Sequence, residues 1–274
     1  MGGKKMTELI NAIREAAEGS LDKVSDSIII AMFFVGAFIV IASIFALIIA
    51  IFLGISYAKY NRKKNSIGKT GEQVARTILD NNGLQRIKVS KTGSIMFGNS
   101  YSHFFKKIRL RRLTWKKDSV TSLAMAAQKA SLAIMDKDGD PDMKTRVRLT
   151  PIIYFGPLAF VPLIIIGALL DIFVLNSVNG TGIIICSVVG LLIYLLSFIM
   201  SIYVLKTEKK AQNKALEIMR SEGLATEEEL KMSKKLFRLY NIEYVNDMVI
   251  ALLELIYRVL QIFSYAQNSS TSSN

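Results

Sequence analysis

One histidine and one cysteine are all that this chain of 274 residues supplies. A catalytic zinc site needs about three protein ligands, drawn mostly from His, Cys, Asp and Glu, and Cys186 lies inside a long apolar run. No His/Cys cluster can form, so zinc-dependent hydrolysis is disfavoured on composition alone. A lone cysteine also excludes an intrachain disulfide framework and leaves the redox compartment unread. Cys186 reads as a small apolar packing residue and His103 as an isolated structural or surface histidine. Two other binding patterns are missing. Gly68-Lys69-Thr70 has the ending of a phosphate loop, but the glycine needed five residues earlier is Lys63. Asp136-Lys137-Asp138-Gly139-Asp140 starts like a calcium loop, yet its glycine comes too early and Val147 stands where a closing Glu is required. That leaves a solvated acidic turn.

Charge is absent over long stretches. Ser27 to Ala58 holds no charged residue in 32 positions, where about 20 suffice to cross a bilayer as a helix. Ile152 to Leu170 and Ile172 to Leu205 are two further uncharged runs, separated by Asp171 and containing the turn-like Asn176-Ser177-Val178-Asn179-Gly180-Thr181-Gly182. They read as a transmembrane hairpin with a short polar tip. The first 26 residues are polar and the run after them is too long for a cleaved signal, so Ser27–Ala58 is expected to be an uncleaved signal anchor.

Positive charge is concentrated between the runs. Residues 59–148 carry 21 Lys and Arg against 7 Asp and Glu, whereas the first 26 residues carry four basic and five acidic groups. The hairpin tip has no Lys or Arg, and Lys206, Lys209, Lys210 and Lys214 follow the third run. Basic residues near spans are retained in the cytoplasm. The expected topology is a multi-pass cell-membrane protein with its N-terminus outside and its main domain cytoplasmic.

Local signals fill in the rest. Leu9, Ile13, Ala16 or Ala17, Leu21 and Val24 recur at helical spacing, an amphipathic extension ahead of the first span. Thr70 to Leu84 reads as one helix, with Thr70 as N-cap, Val74, Ile78 and Leu79 as its apolar stripe and Gly83 at its stop. Gln85–Ser90 and Ile108–Leu110 alternate like short strands, and Ser122–Met135 is a helix. Thr207–Glu222 is a helix stopped by Gly223, and Thr226 caps another that opens on Glu227-Glu228-Glu229. Val245–Phe263 is apolar but broken by Asp247, Glu254 and Arg258, so a fourth span stays open; Glu254 and Arg258, four apart, are spaced to pair.

Gly68-Lys69-Thr70-Gly71-Glu72-Gln73-Val74-Ala75-Arg76-Thr77-Ile78-Leu79-Asp80-Asn81-Asn82-Gly83-Leu84 closely resembles the run that follows the first span in the bacterial membrane neutral zinc metallopeptidases. More loosely, Ser102-His103-Phe104-Phe105 and Lys107-Ile108-Arg109-Leu110 resemble that family's Asp-His-Tyr-Asp and Lys-x-Val-Arg-Leu pieces. Ala126-Ala127 and Ala133-Ile134 flank Gln128–Leu132 as similar pairs flank the family's His-Glu-x-x-His, and Gly139, Arg146 and Pro151 keep the register. Glu208, Lys214-Ala215-Leu216, Gly223-Leu224 and Glu227-Glu228-Glu229 are similar to the family's helix after the hairpin. The resemblance covers roughly residues 30–265.

In that family the two histidines, four apart on one helical face, hold zinc, and the glutamate activates the attacking water. By resemblance, Gln128 stands for the first histidine, Lys129 for the catalytic glutamate and Leu132 for the second histidine. Glu208 matches an acidic position able to supply the third ligand. The resemblance therefore implies a degenerate member with no catalytic residue, no bound cofactor and its zinc lost.

The expected fold class is a mainly α integral membrane protein, with three transmembrane helices, a fourth left open, and a small cytoplasmic α+β metallopeptidase-like domain. Its expected parts are an extension (1–26), a first span (27–58), a basic domain (59–151), a hairpin (152–205), C-terminal helices completing the peptidase-like domain (206–265) and a disordered tail (266–274). The expected function is a binding or scaffold subunit with an unidentified protein partner. An active peptidase with a non-standard site is one alternative. The other is a structural protein docking anionic lipid or nucleic acid. For the latter the candidate surface is Lys106, Lys107, Arg109, Arg111, Arg112, Lys116 and Lys117, interleaved with Phe105, Leu110, Leu113 and Trp115. Membrane lipid is an expected partner in any case, whereas nothing besides charge favours nucleic acid.

Overall fold

The computed structural model describes residues 2–17, 21–22, 24–92, 98–175 and 180–270. Helices dominate: α1 (Gly2–Ala16), α2 (Asp26–Arg62), α3 (Gly71–Asn81), α4 (Arg112–Lys116), α5 (Val120–Lys137), α6 (Pro141–Leu170), α7 (Thr181–Ser221) and α8 (Glu227–Ser270), with a turn of π-helix at Asp171–Leu175. Strands β1 (Lys88–Thr92), β2 (Ser100–Ser102) and β3 (Lys107–Arg111) form a small sheet in the order β1-β3-β2, with β1 parallel and β2 antiparallel to β3. The chain divides into two compact units: Met1–Phe45, Pro151–Ser201 and Asn246–Asn274, and Ala46–Thr150 with Ile202–Val245.

Among the described residues three helices are long and apolar enough to cross a membrane: Asp26–Arg62, Thr181–Ser221 and Glu227–Gln267. The last contains Val245–Phe263, the stretch whose crossing the sequence left open. Asp247, Glu254 and Arg258 do not break this helix, because the first unit supplies partners for two of them: Tyr194 donates its hydroxyl to Glu254 at 2.9 Å, and the Arg258 guanidinium lies 5.6 Å from the Tyr194 ring centre. Ile152–Leu170 is helical within α6, and the shorter apolar stretch Val161–Leu175 runs from α6 into the π-helical turn.

The hairpin is closed by its one acid. Asp171 is buried and accepts from the backbone N–H of Gly182 (2.7 Å) and Ile183 (2.9 Å), capping the first turn of α7. Beside it, α6 and α7 touch at their glycines: a Cβ on Gly182 would meet the Gly167 carbonyl oxygen at 2.6 Å. Small residues of this kind let helix backbones approach where no hydrophobic effect drives them together. Asn176–Asn179 of the expected tip lies outside the described residues.

The second unit is built around α5. Every residue from Val120 to Met135 is buried, which its five alanines permit. Val74, Ile78 and Leu79 of α3, Ile108 and Leu110 of β3, Ala215 and Met219 of α7, and Leu236 and Phe237 of α8 share one core with it. Thr70 caps α3 with a full capping box, Gln73 reaching back to the Thr70 N–H at 2.9 Å. Thr226 and Glu229 form the same device at α8. Gly83 and Gly223, at φ +70° and +64°, take the left-handed conformation that ends α3 and α7.

Three boundaries differ from expectation. α1 ends at Ala16, ahead of Gly19, so Leu21 and Val24 pack back on Ile10 and Ile29 from outside the helix. β1 begins at Lys88 because Arg76 takes the carbonyls of Leu84 and Ile87 (3.1 and 2.7 Å) and holds that stretch as a turn. At the carboxyl end the helix runs to Ser270 where a disordered tail was expected, since extending a formed helix adds one hydrogen bond per residue fixed; 271–274 lie outside the described residues.

The Gly167–Gly182 contact is testable by thermal unfolding in detergent. Gly182→Val should destabilise by about 1–3 kcal/mol through overpacking. Gly36→Ala, whose added methyl meets nothing nearer than Tyr257 Cε2 at 3.9 Å, should be neutral or mildly stabilising.

Candidate functional site

Gln128 and Leu132 share one face of α5 because side chains four apart on a helix stack on the same side. Lys129 is the next residue round. All three are buried, at 6%, 1% and 9% exposure for Gln128, Leu132 and Lys129 respectively. Opposite them on α7 is Glu208, three residues beyond Leu205, where the uncharged run ends.

The helix packing brings these residues together on one carboxylate. Glu208 Oε2 accepts from Gln128 Nε2 at 2.7 Å and from Lys129 Nζ at 3.1 Å, and its Oε1 lies 2.6 Å from an Arg146 guanidinium nitrogen. The three charged side chains are 11% (Lys129), 17% (Glu208) and 20% (Arg146) exposed. Burial by itself raises the Glu208 pKa, but Lys129 and Arg146 outweigh it and bring the carboxyl down to about 2. Leu132 does not join the polar group. It packs with Met135, Met143 and Ala211, and so places an apolar plug where the resemblance puts the second histidine.

This is not a zinc donor set. Both carboxylate oxygens are engaged by cations, and the α5 positions beside them hold a neutral amide and a leucine, which offers no ligand atom. Among the described residues no three His, Cys, Asp or Glu side chains gather closely enough to hold a metal ion. Within the site, sequence reasoning missed one participant: Arg146 entered only as a register mark. The signal available was charge, since a carboxylate facing a single buried lysine calls for a partner on its second oxygen.

A second polar cluster lies at the end of α5. Asp136, expected in a solvated turn, is half-buried and accepts from Tyr101 Oη (2.5 Å) and Lys106 Nζ (3.2 Å), with His103 Nδ1 at 2.7 Å. Burial raises its pKa, yet these partners together pull it below the ordinary aspartate value. His103 is therefore not isolated. The rest of the acidic stretch is also paired: Asp138 with Lys214 at 2.7 Å, and Asp140 with Lys210. The turn is acidic in sequence and ion-paired in space.

The basic patch divides in two. Lys106 faces Asp136, and Arg109 stacks 5.6 Å from the ring centre of the exposed Phe105, on the β2–β3 hairpin with Lys107. Arg111, Arg112, Lys116 and Lys117 stand exposed on and beside α4.

Removing Glu208 tests the ion cluster. Glu208→Ala leaves two buried cations without a counter-ion and should cost about 3–5 kcal/mol, whereas replacing Lys129, Arg146 and Glu208 together by methionine should recover most of it. The pH dependence has a definite sign. A depressed folded pKa contributes stability that is fully present above the ordinary glutamate value of 4.5 and is lost as pH falls from there toward 2. Acid unfolding of Glu208→Gln should lack that contribution.

The family model described as "Putative neutral zinc metallopeptidase" matches residues 32–263. The chain is 25% identical over 208 residues to the "Putative membrane protease YugP" of Bacillus subtilis (strain 168), covering 76% of this chain and 87% of that protein. No solved structure matches. With the match running through α2, the ion cluster and most of α8, the chain belongs to the putative neutral zinc metallopeptidase family.

Proposed function

We propose that this chain is a catalytically inactive member of its family, acting as a membrane-embedded protein-binding or scaffold subunit. The observation that carries the reading is the buried Glu208 carboxylate shared between Lys129 and Arg146. Hydrolysis in such a site requires a cation to lower the pKa of a water and a base to take its proton. Here the cations are side chains that activate no water, and the position of the base is itself an ammonium group. Zinc is lost in this reading, and Lys129 supplies positive charge where the metal would have been.

A binding role is supported by a cleft of about 520 Å³ further along α5 and α7, lined by Met135, Asp138, Asp140, Lys210, Lys214 and Glu217. Its alternating charges suit a polar peptide segment. In the same reading the chain is a multi-pass protein of the cell membrane, N-terminus outside, with 59–151 in the cytoplasm, as the excess of basic residues there favours.

Metal analysis and a peptidase assay on the detergent-purified chain test this. The expected result is no stoichiometric zinc after zinc-supplemented growth, and no cleavage of an unfolded protein substrate above that of Lys129→Ala. Stoichiometric zinc with chelator-sensitive cleavage would overturn it.

A further inference from the structure

The half of the basic patch on α4 has a setting that the ion cluster does not explain. Thr114, fully buried, faces inward, and the Tyr57 and Thr114 hydroxyls lie 3.4 Å apart. Tyr57 is the penultimate residue of the uncharged run of α2, which ends at Ala58 and gives way to Lys59. The chain leading from α4 into α5 is stitched to the end of α2: Thr121 Oγ1 donates to the Tyr57 carbonyl (3.2 Å), Ser119 Oγ to Asn61 (2.9 Å), and Val120 N to the carbonyl of Lys63 just beyond it (3.0 Å). From the other side, Gly71 of α3 fits so closely that a Cβ there would meet the Thr114 carbonyl oxygen at 2.1 Å. α4 is thus fixed at the level where α2 leaves its apolar stretch.

What it presents outward is Leu113, 51% exposed, among Arg111, Arg112, Lys116 and Lys117, all exposed. None of these four cations is in an ion pair among the described residues, whereas neighbouring Lys63, Lys64 and Lys106 all are. An apolar side chain ringed by unpaired cations matches the boundary between acyl chains and anionic head groups. Tyr57 and the half-buried Trp115 at the same level match it too, since both residue types concentrate at that boundary.

We infer that α4 is an interfacial foot that binds anionic phospholipid head groups of the bilayer in which α2 is embedded. Leu113 enters the acyl boundary, and Arg111, Arg112, Lys116 and Lys117 hold the phosphates. Single-stranded nucleic acid fits less well, because the exposed aromatics that would stack on bases, Phe104 and Phe105, belong to the hairpin half of the patch.

Trp115 is the chain's one tryptophan, so the intact protein reports on this surface without a label. The full chain is reconstituted in phosphatidylcholine–phosphatidylglycerol vesicles, with bromine near the glycerol end of the acyl chains of one lipid at a time and equal mole fraction. The expected result is quenching of Trp115 by both lipids, several-fold stronger from brominated phosphatidylglycerol. That preference should fall with each of Arg112→Gln and Lys116→Gln, approach equal quenching in the double variant, and weaken in high salt. No quenching by either lipid, or equal quenching by both, overturns the proposal. So does an RNA oligonucleotide that shifts Trp115 emission while the lipids do not. An unchanged emission maximum in detergent shows that the Gln variants are folded, and Leu113→Ser, with all charges intact, should lower quenching by both lipids alike.

Discussion

A carboxylate enclosed between helices stays ionised only if positive charge is enclosed with it. Glu208 meets that condition with a lysine and an arginine, and much of the second unit is arranged around the meeting. Lys129 reaches it from α5, the helix buried on all sides at the centre of the core. Arg146 reaches it from the first turns of α6, and Glu208 itself stands where α7 leaves its apolar stretch. One ion cluster therefore ties together three helices, two of which continue into long apolar segments. Like most buried ion clusters it fixes geometry more than it adds net stability, because desolvation offsets most of the attraction.

On the proposed reading, the same cluster explains how a zinc-binding architecture can persist once its donors are gone. Vacating a buried cation site leaves an uncompensated acid, which would destabilise the helix packing. A lysine at position 129 restores the charge balance within the fold, and Leu132 fills the adjoining space with carbon against Met135, Met143 and Ala211. The replacements compensate each other: one supplies charge, one a hydrogen bond, one volume. Family membership and the proposed loss of the zinc motif are thus compatible physically.

What could be read from the sequence was local. Thr70 with Gln73, and Thr226 with Glu229, are signals complete within four residues, and both caps form. The uncharged run to Ala58 needs only its length to be recognised. What could not be read depends on distant partners. β2 has three residues, too few for a period, and exists because β3 offers it an edge. Arg146 and Glu208 are far apart in the chain and meet only once α6 and α7 pack. His103 and the acidic stretch after α5 looked solvated because Tyr101, Lys210 and Lys214 come from other elements. The charges of α8 looked incompatible with a long apolar helix until Tyr194 was placed beside Glu254 and Arg258.

The central claim is that Lys129 stands in for the metal while the architecture is kept. It is tested most directly by restoring the donors, Gln128→His, Lys129→Glu and Leu132→His together, and titrating zinc into the folded variant and the unaltered chain by calorimetry. The account predicts about one tightly bound zinc per variant chain, held by the two introduced histidines and Glu208, and none in the unaltered chain. Equal zinc binding by both, or none by a variant that unfolds as cooperatively as the parent, would contradict it.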